Sequence, residues 1–326
     1  MPIENTSIPV INVGALADEN PSSELNASFF KAYHSLGFGY IVNHGIDPAL
    51  IDSVFEASYR FHAMPLEEKM KVALDHKHRG YIAINTSTDV NSKLAEVKKP
   101  NQSASFMMMR EDREERADVY LSGPNQWPAL EGFRPILEQF NAELACLAKK
   151  LMRVALLSAG VQDLSVMEKF DEPTTWLRLL HYPPLPKGSP TDLYGSAPHT
   201  DFGCLTILVQ DDIGGLQVQS PDGHWLDVPK LENSFVVNVG DMLHRMTNGL
   251  LRSTPHRVIN RSGRERYSCP FFYDPHVSLD VAPLKGTGQP KFKTLNFGEF
   301  LRNELGASYK KHKGPESLKL PPPIIL

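Results

Sequence analysis

The chain has 326 residues, 41% of them hydrophobic and 22% charged, with a formal net charge of −4 at neutral pH. That balance belongs to a globular protein rather than a disordered one, and it leaves no basic footprint for nucleic acid. No apolar run approaches the roughly 20 residues of a membrane-spanning helix, and the odd number and wide spacing of Cys146, Cys204 and Cys269, without a CxxC pair, argue against a disulfide framework or a cysteine zinc site.

The opening stretch, "MPIENTSIPVINVGAL", has no basic segment followed by an apolar core, so the expected compartment is the reducing cytoplasm. "SELNASFFKAYHSLG" then places Leu25, Phe29, Ala32 and Leu36 at spacings of three and four, which predicts a helix stopping at Gly37. "FGYIVNHGI" is a short β-branched and aromatic strand. "DPALIDSVFEASYRFHAMP" is a second helix, opened by Asp47 and Pro48 and closed at Pro65. Residues 85–105 are polar and irregular and read as a surface loop; the run Met107-Met108-Met109 reads as an adaptable apolar lid. The longest helix is expected through "FRPILEQFNAELACLAKKLMRVALLSAG", ending at Gly160.

From Trp176 the texture changes. "WLRLLHYPP", "LTILVQ", "GLQVQS", "SFVVNV", "STPHRVIN" and "RYSCPFFYDP" are short strand-like runs, separated by turn signals such as Pro221-Asp222-Gly223 and Asn248-Gly249. This spacing predicts a jelly roll. A helix at "FGEFLRNELGASY" follows, then a basic "YKKHKG" read as a solvated tail face, then a proline-rich end. The expectation is an α+β fold: one domain over 1–326, with a helix-rich N-terminal layer (1–120), a double-stranded β-helix (jelly-roll) core (174–277) and a C-terminal helix. Nothing in the pattern calls for a second copy, so a monomer is the default.

The chemistry concentrates in "SAPHTDFGCLTILVQ". His199 and Asp201 are two apart where a strand enters the core, and in an extended chain such residues reach toward one point. They form either a private hydrogen-bonded pair or part of a metal site. His256 lies on a later strand, and Arg266 and Ser268 share a face of the last one. Two imidazoles and one carboxylate can fill one face of an octahedral ion and leave up to three positions open, as in non-haem Fe(II) oxygenases. Zinc hydrolases use the same ligand types, although no H-E-x-x-H glutamate base is visible. The Arg266 fork and Ser268 hydroxyl suit a carboxylate held by parallel hydrogen bonds.

H-T-D, a distal histidine and R-x-S together resemble the iron(II)- and 2-oxoglutarate-dependent dioxygenases, in the isopenicillin N synthase-like branch. "GFGYIVNHGI", "LRLLHYPPLP" and the stretch from "DIGGLQVQS" to "MTNG" are similar to that branch too, so the resemblance spans nearly the whole chain. It implies that His199, Asp201 and His256 bind Fe(II). It also implies that Arg266 and Ser268, assisted by Tyr182, hold the distal carboxylate of 2-oxoglutarate, and that O2 oxidises a small organic substrate with release of succinate and CO2. Leu180 stands where many plant members have asparagine, and "RLLHYP" resembles the microbial thymine hydroxylases. An isopenicillin N synthase-type oxidase would use the same clamp for its substrate's carboxylate, but the tail "GPESLKLPPPIIL" lacks the glutamine of those enzymes. A non-catalytic sensor of a small acid is the third reading.

Around this centre, Arg178 shares a strand face with Leu180 and Tyr182. It points either into the cavity or toward an acid such as Asp241. Phe202, Phe271, Met107 and Phe106 are the candidate substrate-lining residues. His44 and Cys204 are read as packing, Asp241 as turn chemistry, His181 as facing away from the pocket and His244 as a candidate for its wall.

Overall fold

The computed structural model describes residues 8–14, 16, 21–87, 99–190 and 192–308; the first residues, the middle of the 85–105 loop, the basic tail and the proline-rich end lie outside them. In chain order the elements are β1 (Val10–Asn12), α1 (Ser23–Ser35), β2 (Phe38–Val42), α2 (Pro48–Ala63), α3 (Leu66–Met70), β3 (Gly80–Ile82), β4 (Ala104–Met109) and α4 (Phe133–Ser158). After a 3-10 turn at Ser165–Phe170 come β5 (Thr174–Tyr182), β6 (Ser196–His199), β7 (Leu205–Gln210), β8 (Leu216–Gln219), β9 (Trp225–Asp227) and β10 (Ser234–Val239). The last elements are α5 (Asp241–Met246), β11 (His256–Val258), β12 (Arg266–Asp274), β13 (Asp280–Val281), β14 (Leu295–Asn296) and α6 (Phe297–Ser308).

The helices begin where local chemistry starts them. Ser22 caps α1 by accepting from the Leu25 amide, and Asp47 caps α2 by accepting from the Ala49 amide at 2.9 Å, with Pro48 in the first turn. Helix α4 buries Phe133, Leu137, Phe140, Leu144, Leu147 and Leu151, a stripe at spacings of four and three, against the outer face of the large sheet. Each such side chain contributes about 1.5–3 kcal/mol by leaving water. Gly37, which ends α1, sits at φ +74°, and a Cβ there would lie 2.2 Å from the Arg252 carbonyl oxygen, so only glycine permits this crossing.

Two sheets face each other. The larger has the order β1-β2-β10-β7-β12-β5-β4-β3, and the smaller β6-β11-β8-β9. All pairings are antiparallel except β1 with β2. This two-sheet, antiparallel sandwich is the expected jelly-roll core, and α1, α2 and α4 cover one side of it. No helix of the described residues is long and apolar enough to cross a membrane.

The N-terminal region is less purely helical than expected, because β1 to β4 all join the large sheet. Strands β3 and β4 are buried on both faces and β1 is only three residues long, so none of the three carries a period-2 signature. The methionine run is therefore no lid. Met107, Met108 and Met109 are buried within β4, paired with Arg178, Leu177 and Trp176 of β5.

Candidate metal and co-substrate site

Between the sheets lies a cavity of about 200 Å³. At one side β6, the β6–β7 connection and β11 bring His199, Asp201 and His256 together, because β6 and β11 pair with His256 directly opposite His199. One ligand atom from each residue lies within 4.8 Å of the other two. His199 Nε2 is 3.7 Å and His256 Nε2 3.6 Å from Asp201 Oδ1, too far for hydrogen bonds. The private hydrogen-bonded pair is therefore not what forms here.

Each partner is instead oriented from behind. His199 Nδ1 lies 2.7 Å from the Ala197 carbonyl and His256 Nδ1 3.2 Å from that of Thr254. A carbonyl can only accept, so Nδ1 donates and the Nε2 lone pairs face the common point. Asp201 Oδ2 accepts from Asn238 Nδ2 at 2.7 Å and from Thr206 Oγ1 at 2.5 Å, which leaves Oδ1 for that same point. Burial pushes the Asp201 carboxyl up, but the His256 and His199 rings and these two hydrogen bonds outweigh it and hold it below its usual range. Three oriented lone-pair donors around one gap are a fit for a divalent cation.

Further along the same cavity lies a buried cation. Arg266 is fully buried, directly opposite Tyr182 in the β12–β5 pairing, with its guanidinium 4.7 Å from that ring. It donates to Ser268 Oγ at 3.2 Å and to Gln210 Oε1 at 2.9 Å, while its Nε finds no hydrogen-bond partner. A buried guanidinium held only by neutral groups fits an anion arriving from the cavity.

Family models agree with this geometry. Residues 173–275 match that of the 2OG-Fe(II) oxygenase superfamily, and residues 8–130 that of the "non-haem dioxygenase in morphine synthesis N-terminal" region. A 2-oxoglutarate-Fe(II) type oxidoreductase of Emericella nidulans is 37% identical over 295 residues, covering 84% of this chain and 81% of that protein. The chain belongs to the 2-oxoglutarate–Fe(II) oxygenase superfamily. Clavatol oxidase of Penicillium crustosum is 34% identical over 335 residues, covering 93% and 96% of the two chains. Among solved structures, a full-length Neurospora crassa protein in complex with alpha-KG and thymine superimposes with a TM-score of 0.81 at 29% identity, covering 95% and 99%. This oxygenase accordingly uses Fe(II), 2-oxoglutarate and O2, and oxidises a small organic substrate.

The other expected residues of the oxygenase divide. Met107, Arg178, Phe202 and Tyr182 line the cavity. Phe271 does not: it is fully buried on the opposite face of β12, among the residues that pack under α4, and Phe272 takes the cavity position. The reason is strand alternation, which sends Arg266, Ser268, Pro270, Phe272 and Asp274 inward and Phe271 outward. Phe106 is outward too, edge-on to Phe61 and Phe133. His244 lies outside the cavity, bound to the Leu251 carbonyl at 2.7 Å, and His181 faces away as expected, stacked on Tyr267. His44 stacks on Phe235 and Cys204 is wholly buried, both as packing. Asp241 does more than turn the chain. It opens α5 and accepts from Thr200 Oγ1 and Ser253 Oγ at 3.2 and 2.6 Å, tying the two ligand-bearing segments together.

Several contributors went unnoticed in the sequence: Thr206, Asn238, Gln210 and Asp274. Asn238 had a signal, an amide in the middle of the apolar run "SFVVNV". Asp274 accepts from the Cys204 amide at 2.7 Å, and burial pushes its carboxyl up to about 7. A Cβ on Gly203 would fall 1.6 Å from its Oδ1, so glycine is what lets this carboxyl reach the turn after Asp201.

Proposed function

We propose that His199 Nε2, His256 Nε2 and Asp201 Oδ1 hold Fe(II), and that Arg266 and Ser268 receive the distal carboxylate of 2-oxoglutarate, with the Tyr182 ring beneath the guanidinium. The observation that carries this reading is the pairing of two incomplete sites in one cavity: three lone-pair donors converging without hydrogen bonds among themselves, and a fully buried guanidinium with no carboxylate partner among the described residues. Iron, when bound, supplies the activation of O2 that couples decarboxylation of 2-oxoglutarate to oxidation of the substrate.

The protein's share is positioning and exclusion of water. The Ala197 and Thr254 carbonyls hold the histidine tautomers, and Asn238 and Thr206 hold the aspartate. Phe38, edge-on to His256 at 5.2 Å, together with Leu208, Leu216 and Val258, makes the surrounding wall apolar. The alpha-KG bound in the similar Neurospora crassa structure supports assigning the clamp to the co-substrate rather than to a substrate carboxylate. We further infer one domain over 1–326, supported by the entry of β1 to β4 into the core sheet. We also infer a cytoplasmic location, supported by the cysteine pattern, and no nucleic-acid partner, supported by the charge, with a monomer as the default.

The test is an anaerobic titration of the Fe(II)-loaded protein with 2-oxoglutarate, followed by visible absorption. A weak metal-to-ligand charge-transfer band that saturates is expected. Iron demonstrably bound with no band would move the clamp to the substrate and bring the oxidase reading forward.

A further inference from the structure

Arg178 has no part in the chemistry above, yet it lines the same cavity. It sits on β5 four residues before Tyr182 and on the same strand face, about 13 Å from the co-substrate clamp at the usual rise per residue. Its Nη2 donates to Ser105 Oγ at 2.9 Å, and its buried Nε has no hydrogen-bond partner. No carboxylate among the described residues pairs with it. Asp241 is occupied by Thr200 and Ser253, and Asp274 by the Cys204 amide and Trp176. A guanidinium stays ionised at any physiological pH, so a partly buried one facing a cavity needs its counter-charge from the occupant.

The arrangement repeats that of the clamp: arginine on one strand, a serine hydroxyl beside it, an unpartnered Nε, an open side toward the cavity. The charge balance runs the same way. Fe(II), Asp201, doubly anionic 2-oxoglutarate and Arg266 cancel one another, and Asp274, whose carboxyl burial pushes up to about 7, is held by the Cys204 amide and Trp176 and forms no ion pair with Arg178. Met107, Trp176, Phe202 and Phe272 supply apolar surface in the same cavity lining as Arg178 and the metal ligands.

We propose that Arg178 and Ser105 form a second carboxylate clamp, and that the primary substrate is a small monocarboxylic acid whose apolar body lies along Trp176, Phe202 and Phe272 with its carboxylate on Arg178. This rests on the reading that the Arg266 end takes 2-oxoglutarate. A single guanidinium matches one negative charge, which favours a carboxylate over a doubly charged phosphate.

The test uses the anaerobic protein loaded with Fe(II) and 2-oxoglutarate. It is titrated with benzoate, phenylacetate, cinnamate and hexanoate, each beside its primary amide. Binding is read from the shift of the visible band and, independently, from the change in tryptophan fluorescence that is lost in Trp176→Phe, Trp176 being the one of three tryptophans that lines the cavity. At least one acid is expected to bind about tenfold or more tightly than its amide in the wild type. That preference disappears in Arg178→Met and survives in part in Arg178→Lys, while 2-oxoglutarate affinity stays within about twofold in both. That retained affinity also reports that the variants are folded. If Arg178→Met lost it, the acid-against-amide comparison in the wild type and in Arg178→Lys would still decide. A wild type that binds no acid more tightly than its amide, or a preference that persists in Arg178→Met, overturns the proposal. A wild type that shows no band with 2-oxoglutarate instead breaks the underlying assignment of the Arg266 clamp.

Discussion

The two faces of β12 are made by one stretch of nine residues, yet they meet different surroundings. Outward, Cys269, Phe271 and Tyr273 pack into the apolar layer beneath α4, where the only demand is shape. Inward, Arg266, Ser268 and Asp274 are equally buried, but Arg266 keeps an unpartnered Nε and no carboxylate partner among the described residues. Burial is thus no guide to role. What separates the faces is whether each buried polar group finds its full complement inside the chain. At Arg266 the deficit has the shape and charge of an anionic ligand.

That contrast can be broken from either side. On the inward side, His199→Ala or Asp201→Ala removes one of three donors, and turnover, measured as succinate release, is expected to fall to background with the protein still folded by circular dichroism. On the outward side, Phe271→Ala should leave the cavity intact but cost about 3–5 kcal/mol of stability in denaturant unfolding. Phe272→Ala should cost less stability and change substrate binding more. Arg266→Ala should weaken 2-oxoglutarate about 100-fold in the absorption titration, equivalent to about 2.7 kcal/mol, with iron content unchanged.

The outer face also carries a pH signature. Burial first, then the neighbouring His181, depress His62 from 6.5 to about 3, so it stays neutral in the folded protein while the unfolded chain protonates normally. Stability is complete above pH 6.5 and falls as pH drops toward 3. Between pH 8 and 5 the loss should be about 2 kcal/mol in urea-unfolding free energies, and His62→Gln should flatten it. The smallest effect sharpens the inward side: Asn238→Ala frees Asp201 Oδ2 on one side, and iron affinity is expected to drop about tenfold in a competition assay with a chelating dye.

The helices α1, α2, α4 and α6 and the jelly-roll class were legible in the chain, because apolar periodicity and capping residues are local signals. The same holds for His199 with Asp201 and Arg266 with Ser268, whose i, i+2 spacing is a statement about one strand. Carrying that alternation four more residues along β12 would have placed Phe272 inside and Phe271 outside.

Tertiary structure alone decided what depends on residues distant in sequence. The pairing of β6 with β11 brings His256 beside His199. The insertion of the methionine run as β4 beside β5 sets Ser105 against Arg178. The sheet neighbours Asn238 and Gln210 acquire their partners only once β10, β7 and β12 lie side by side. Local pattern determines which face of a strand a side chain takes. Only the packing of one strand on another determines what that side chain meets, and whether the protein or a ligand must satisfy it.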